Sequence, residues 1–244
     1  MGKTHKTRAQ ARQDHKTGHV RTNHTERNSI MDDQNTDTPT DGRPLDPPEP
    51  RHLLLWMDVE TDDTDPDECA ILELGLRVTD LTGRECLDAL SATIHQDRLD
   101  TNPGTLGAIR MHAANGLLAE SLNGGEDTRD AALMAMQLID HALPAGVLHP
   151  AGTNPRFDLT CLRRILQTGI GMDMTGRLMA RLSYRCVDMT CLRMASQTAG
   201  GDPWAGGAGT HRVDDCLDRD IRQWRRLWPL LDGFDWTGTE TPDE

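Results

Sequence analysis

The feature that most constrains the fold is a short apolar run, residues 52–57, that turns acidic at its end. A run of this length, followed by polar residues, is typical of a buried β-strand. Asp58 and Glu60 follow it two positions apart, so their side chains point to the same face of the sheet. Two carboxylates on one face repel each other, and a divalent cation relieves that repulsion because hard cations bind carboxylate oxygens. The pair alone fits a metal site or an ordinary polar strand end.

The rest of the pattern predicts an α/β domain. Residues 71–79 and 85–95 are expected to be the second and third strands, joined by a hairpin turn at 80–83. The downstream expectations are two short helices within 103–122 that divide near 115–116, a helix over 128–143, a strand over 147–152, a helix over 155–168, a strand over 184–188, a helix to about 199 and a last helix over 213–231. Strands and helices in this order indicate a mixed β-sheet flanked by helices.

Composition places the packed domain in the middle of the chain. Hydrophobic residues make up 36% and aromatic residues 3% of the 244 residues, which suggests that some of the chain does not pack. Residues 1–50 show no hydrophobic period, and we expect a disordered tail there. The domain is expected to span residues 51–231, and residues 232–244 to form a short acidic tail.

Charge and cysteine content limit the classes of function. Seven Lys and Arg against two acids give residues 1–30 a net charge of +5, so the rest of the chain, at −13 overall, carries −18. A domain this acidic cannot hold long nucleic acid by a broad basic surface. The six cysteines show no zinc-binding spacing and are expected to be reduced thiols in the cytoplasm. The sequence contains no run of about 18 apolar residues, so no membrane span is predicted.

A longer motif surrounds the acidic pair. Asp58-Val-Glu60-Thr61 is followed by Asp65-Pro66, then by Ile-Leu-Glu-Leu-Gly at 71–75 and Val-Thr-Asp at 78–80. This stretch resembles, without a gap, the first exonuclease motif of the oligoribonucleases, which are 3′→5′ exonucleases of the DEDDh superfamily. The resemblance implies a ribonuclease H-like fold and makes Asp58 and Glu60 metal ligands.

Three further segments extend the resemblance. Met111-His112 and Gly116-Leu117 are similar to a Met-His-x-x-Ser-Gly-Leu segment of the family, with Asn where Ser is usual. Gly-Thr-Asn at 152–154 leads to Asp158, which would be the third carboxylate ligand; an acid in the first turns of a helix also suits the helix dipole. Residues 184–192 are similar to the family's Tyr-Arg-x-x-Asp-Val-Ser-x-Leu stretch, in which we expect Asp188 to be a helix cap.

The last motif departs from the family. There, a histidine is followed five residues later by the aspartate that completes the metal site, whereas here Asp214 and Asp215 lie three and four residues after His211, and Cys216 lies at the fifth position. An alignment without a gap keeps the family's buried helical positions and places a soft thiol at the ligand position. A one-residue deletion places Asp215 there but turns it about 100° from the apolar stripe. We favour Asp215 and keep Asp214 and Cys216 as alternatives.

The resemblance implies a mechanism and a substrate. Two divalent ions, Mg²⁺ or Mn²⁺, would be held by Asp58, Glu60, Asp158 and Asp215, with His211 deprotonating the attacking water. The product would be a nucleoside 5′-monophosphate, and the protein would be a homodimer acting on short single-stranded RNA, with DNA as a further possible substrate. The substrate contacts implied are Thr61, His112, Asn154, Tyr184, Arg185 and Thr190.

Two alternatives compete with this interpretation. One is a DEDDh exonuclease acting on longer single strands of DNA or RNA, and the other is a catalytically impaired nuclease fold that only binds. Asp62, Asp63 and Thr64 replace the family's Thr-Gly-Leu, which adds negative charge where a polyanion is expected.

Overall fold

The structure, a computed structural model, describes residues 50–204 and 209–232. The expected N-terminal and C-terminal tails lie outside these residues, apart from Pro50 and Asp232. Within the described part of the chain, no helix is both long enough and apolar enough to cross a membrane.

The domain contains five strands and seven α-helices among the described residues. The strands are β1 (His52–Thr61), β2 (Ile71–Asp80), β3 (Cys86–Thr93), β4 (Val147–Gly152) and β5 (Val187–Asp188). The helices are α1 (Leu106–Ala114), α2 (Leu117–Asn123), α3 (Thr128–Ala142), α4 (Pro155–Ile170), α5 (Met172–Met179), α6 (Met189–Thr198) and α7 (Val213–Asp232).

The strands form one mixed sheet in the order β3-β2-β1-β4-β5. The pairs β1–β2 and β2–β3 are antiparallel, whereas β1–β4 and β4–β5 are parallel. The predicted mixed sheet flanked by helices is therefore confirmed. Two elements differ from expectation: α5 was not predicted, and β5 is shorter because only Val187 and Asp188 pair with β4.

The alternation along β1 assigns its two faces to two cores. The odd-numbered side chains from Leu53 to Val59 pack with α3 and α4. Leu54 and Trp56 face the other way and pack with α6 and α7. Because side chains alternate in a strand, Asp58 and Glu60 continue the second series and lie on the α7 side of the sheet.

Helix α7 lies close against the centre of this face. Its buried residues recur at helical spacing and form one stripe, comprising Val213, Cys216, Leu217, Asp220, Ile221 and Trp224. A Cβ on Gly75 of β2 would lie 2.7 Å from Val213 Cβ and 2.8 Å from Leu217 Cδ1. Gly75 is paired with Asp58 in the sheet, so the missing side chain lets α7 approach the acidic end of β1.

Candidate active site

Three carboxylates meet where β1 extends past its neighbour β4. The β1–β4 pairing ends at Trp56, so the edge of β1 beyond it is free for other partners. Asp158, in the first turn of α4, uses this edge: its Oδ1 accepts a hydrogen bond from the Val59 backbone N–H at 3.1 Å. Asp158 thereby lies beside Asp58 and Glu60, although it belongs to helix α4 and they belong to strand β1.

The carboxylates are held in a poorly solvated, electronegative environment. Burial, with Asp158 and Glu60 nearby, raises the pKa of Asp58 well above its usual value. Burial likewise raises the pKa of Asp158, despite the hydrogen bond from Val59. The pKa of Glu60 rises to about 7, first through burial and then through the charge of Glu73. These groups repel one another in their charged forms, and a bound cation would remove that repulsion.

The fourth position of the cluster is taken by Cys216. Ligand atoms of Asp58, Glu60 and Cys216 all lie within 4.8 Å of one another, and the Cys216 thiol points at Glu60 Oε1 at 3.9 Å. Burial, followed by the charge of Asp58, raises the pKa of this thiol.

The two aspartates before Cys216 lie elsewhere. Asp215, which we favoured as the last ligand, is exposed and accepts a hydrogen bond from Thr210. Asp214 is exposed on the β2–β3 side, where it accepts hydrogen bonds from Arg77 and Ser91. The geometry therefore follows the alignment without a gap, because turning Asp215 inward would turn the apolar stripe of α7 away from the sheet.

A buried ion pair behind Asp58 was missed in the sequence. Asp220 is only 2% exposed. Its Oδ1 accepts hydrogen bonds from Arg193 at 2.5 Å and Arg219 at 3.0 Å, and its Oδ2 accepts one from Thr153 at 2.6 Å. The signal was present, because Asp220 lies one helical turn after Cys216 on the same face.

His211 precedes α7 in an unusual backbone conformation. Its φ is +54°, a left-handed value that is uncommon for histidine. Asn115 stabilises this conformation through its side-chain amide, which donates to the carbonyls of Thr210 at 2.9 Å and His211 at 2.7 Å. Strained backbone of this kind is often found at functional sites. In the sequence, Asn115 stood out only because it replaces the family's Ser. In the structure, it helps to position His211.

The next residue, Arg212, fixes the start of α7. It pairs with buried Glu73 at 2.7 Å and with Glu120 at 2.8 Å. Glu73 also accepts a hydrogen bond from the Val213 backbone N–H at 3.1 Å, which caps the helix. His211 is therefore held between Asn115 on one side and an anchored helix end on the other.

His112 lies beneath the site and not on its surface. It is fully buried, and its Nε2 lies 3.0 Å from the Thr61 carbonyl and 3.7 Å from Glu60 Oε2. Burial lowers the pKa of His112, and the nearby charge of His211 lowers it further, whereas the hydrogen bond to the Thr61 carbonyl acts to raise it. We expected His112 to contact the substrate, but in the structure it is buried and supports the end of β1.

Two of the remaining predicted substrate residues, Asn154 and Thr190, lie around the end of β4, whereas Arg185 lies beside its first half, with its carbonyl 3.2 Å from His149 Nδ1. Asn154 has a left-handed φ of +57° at the start of α4, and its backbone N–H donates to Asp188 at 3.3 Å. Asp188 caps α6 by accepting from the Thr190 N–H at 2.8 Å, so the cap prediction is confirmed. The Thr190 hydroxyl is buried without a partner among the described residues.

Two other expectations are clarified by side-chain positions. Tyr184 is 88% exposed, and the Arg185 guanidinium lies 5.5 Å from its ring.

Asp62, in contrast to Tyr184, is buried and accepts a hydrogen bond from the Ala70 N–H at 2.7 Å. Its charge is therefore used to close the β1–β2 loop and is not presented to solvent.

Comparisons with known proteins agree with this geometry. No protein-family profile matches the chain. The oligoribonuclease of Yersinia pseudotuberculosis serotype O:1b is 26% identical over 177 residues, which cover 72% of this chain and 93% of that protein. The chain is similar to the oligoribonucleases, and this similarity supports 3′→5′ exonuclease activity.

Solved structures show the same fold. Exonuclease I of Methylocaldum szegediense matches this oligoribonuclease-like exonuclease with a TM-score of 0.57 and 16% identity, covering 74% of this chain and 41% of that one. Exonuclease I of E. coli in complex with a dT13 oligonucleotide matches with a TM-score of 0.55 and 16% identity, covering 75% and 43%. The oligoribonuclease-like chain spans about two fifths of the length of these proteins.

The family implies dependence on a divalent metal, and the residues present suit one. Asp58 Oδ2 and Asp158 Oδ2 are both buried without a hydrogen-bond partner among the described residues. Carboxylate oxygens left in this way are costly unless a cation binds them. The oligoribonuclease-like exonuclease therefore has oxygen donors available for a metal, with a thiol where the family has its last carboxylate.

Proposed function

We propose that this chain is a metal-dependent 3′→5′ exoribonuclease that hydrolyses short oligoribonucleotides to nucleoside 5′-monophosphates. The observation that carries the proposal is the convergence of Asp58, Glu60 and Asp158 from two separate segments, with one carboxylate oxygen of Asp58 and one of Asp158 buried without a partner among the described residues. The relationship to oligoribonucleases supports the substrate class.

The metal ligands are proposed to be Asp58, Glu60 and Asp158, whose oxygens suit Mg²⁺ or Mn²⁺, together with one residue of the α7 start. Divalent ions, two in this mechanism, supply activation of the attacking water and stabilisation of the departing 3′ oxygen. Asp215 would take part only if the first turn of α7 rotated, so Cys216 is the better candidate.

His211 is proposed to accept the proton of the attacking water. An imidazole has a suitable pKa for this transfer near neutral pH. Its position supports the role, because the loop that carries it is fixed by Asn115 and lies near His112, which in turn lies 3.7 Å from Glu60.

Substrate binding is proposed along the β4–β5 side of the sheet. Tyr184 offers an exposed ring for base stacking, and Arg185 offers donors for a terminal phosphate. The Thr190 hydroxyl is buried, but its hydrogen-bonding capacity is unused among the described residues. Thr61 and Asn154, at the edge of the carboxylate cluster, would also contact the substrate through backbone and side-chain groups. The acidity of the chain supports a short substrate, since few phosphates can be neutralised.

Assembly and location are also proposals. We infer a homodimer from the resemblance to oligoribonucleases, and a cytoplasmic location because all six cysteines are free thiols. Sedimentation of the purified protein would show the dimer directly.

The test of the proposed function is a hydrolysis assay with purified full-length protein. Di- to pentaribonucleotides should release nucleoside 5′-monophosphates when Mn²⁺ or Mg²⁺ is present and none when metal is chelated. Asp58→Asn, nearly equal in size, should lower the rate at least about a hundredfold. Binding of these oligonucleotides without any hydrolysis under either metal would instead show a binding module.

A DNA exonuclease is the second candidate, because the fold also matches exonuclease I in complex with a dT13 oligonucleotide. Parallel assays with short and long strands of RNA and DNA separate the two functions. Faster hydrolysis of long single-stranded DNA than of pentaribonucleotides would overturn the oligoribonuclease proposal.

A further inference from the structure

The thiol of Cys216 lies inside the carboxylate cluster of the proposed active site. Cys216 is 6% exposed, and its Sγ groups with oxygens of Asp58 and Glu60 within 4.8 Å. Asp158 is 4% exposed and keeps Oδ2 without a partner in the described chain. The Asp158 side chain reaches the same end of β1, because its Oδ1 accepts the hydrogen bond from the Val59 backbone N–H, between Asp58 and Glu60.

Nearby aspartates on α7 are engaged elsewhere. Asp214 accepts hydrogen bonds from Arg77 of β2 and Ser91 of β3. Asp215 is exposed. Asp220 is directed at Arg193, Arg219 and Thr153. Within the described residues, Cys216 is thus the α7 side chain placed to contact a cation held by Asp58 and Glu60.

A mixed sulfur and oxygen donor set favours a different cation from an all-carboxylate set. Mg²⁺ requires oxygen ligands in near-octahedral geometry, whereas Zn²⁺ accepts cysteine sulfur together with carboxylate oxygen. We propose that Cys216 is a metal ligand and that this site binds a thiophilic divalent cation, of the class of Zn²⁺ and Co²⁺, in preference to Mg²⁺. The proposal rests on the proposed function in taking the cluster as the metal centre.

Binding exchanges a proton for the metal. The S–H bond of Cys216, now directed at Glu60, breaks as the sulfur–metal bond forms, and the proton passes to the buffer. No oxidation occurs, because the sulfur keeps its electron pair and donates it to the cation.

Co²⁺ provides a direct spectroscopic test on the purified full-length protein. Titration should produce a near-ultraviolet absorption band from sulfur-to-cobalt charge transfer. Cys216→Ser should remove the band, whereas Cys191→Ser, at an exposed position on α6, should retain it. Cys216→Asp should remove the band and tighten Mg²⁺ binding relative to Co²⁺ by at least about tenfold, measured by calorimetry.

A measurement on the unaltered protein keeps the test valid if a variant fails to fold. X-ray absorption of the zinc-loaded protein should show a sulfur neighbour at about 2.3 Å. A metal shell containing only oxygen and nitrogen, or a cobalt band that persists in folded Cys216→Ser, would overturn the proposal.

The outcome is separable from the proposed function. Pentaribonucleotide hydrolysis without a charge-transfer band would leave the exonuclease proposal intact and remove Cys216 as a ligand. A band that depends on Cys216, without hydrolysis under any metal, would support the metal site and refute the exonuclease proposal.

Discussion

The close approach of α7 to Gly75 makes one substitution especially informative. In Gly75→Ala, the new Cβ would lie 2.7 Å from Val213 Cβ and 2.8 Å from Leu217 Cδ1. Both contacts are shorter than real Cβ contacts allow, and both partners are buried, so the helix must move. Overpacking of this kind costs about 1–3 kcal/mol of unfolding free energy.

The expected loss can be measured by thermal unfolding. For a domain of this size, 1 kcal/mol lowers Tm by about 2–4 °C, so a loss of about 2 kcal/mol lowers it by about 4–8 °C. Gly176→Ala in α5 is the matched control, since its Cβ would meet nothing within 4 Å. A helical glycine replaced by alanine should leave stability unchanged or raise it by up to about 1 kcal/mol.

The same substitution should weaken metal binding, because Gly75 is paired with Asp58 and α7 carries Cys216. The Co²⁺ dissociation constant should rise at least about tenfold in Gly75→Ala and remain unchanged in Gly176→Ala. If Gly75→Ala unfolds at the wild-type temperature and binds Co²⁺ with wild-type affinity, the inferred packing of α7 over the acidic end of β1 is wrong.

Further perturbations test the groups around the cluster. Arg193→Leu removes an ion-pair partner from buried Asp220 and should lower the unfolding free energy, measured in urea, by about 3 kcal/mol. The double variant Arg193→Leu/Asp220→Leu should lose less than the sum of the two single variants; additive losses would argue against coupling between the two residues. Asn115→Ala should lower kcat roughly tenfold with little change in KM by displacing His211, and Asn115→Ser should recover part of the rate; an equal rise in KM would contradict a positioning role. The pKa of Glu60 rises from 4.5 to about 7, so between these pH values the metal-free folded state keeps a proton that the unfolded state releases. The free energy of unfolding should therefore fall as pH rises through this range, by on the order of 3 kcal/mol at most. Glu60→Gln should flatten this dependence of stability on pH.

Much of the site could be predicted from local patterns. The buried β1 strand and the shared face of Asp58 and Glu60 follow from strand alternation, which is a property of the backbone. The Asp188 cap follows from the preference of aspartate for the residue before a helix. The apolar stripe of α7 is equally local, since its spacing is that of a helix.

Which α7 residue joins Asp58 and Glu60 in the cluster was decided only by tertiary packing. Motif spacing allowed Asp214, Asp215 or Cys216, and the chemistry of Mg²⁺ favoured a carboxylate. Burial of the α7 stripe against Gly75 fixes the rotation of the helix, and that rotation places Cys216 in the cluster. A helix turns to bury its apolar surface, because burial of apolar surface is the dominant favourable contribution to folding.

Long-range pairing likewise decided the roles of His112 and Asp220. The sequence marked His112 as part of a family segment, but only the fold places it beneath Thr61 and Glu60. Helical spacing places Asp220 on the buried stripe of α7, but only the fold brings Arg193 of α6 to it. Periodicity along the chain thus determined which residues are buried, and the contacts between distant segments determined what those buried residues bind, because sequence spacing carries no information about the side chain opposite.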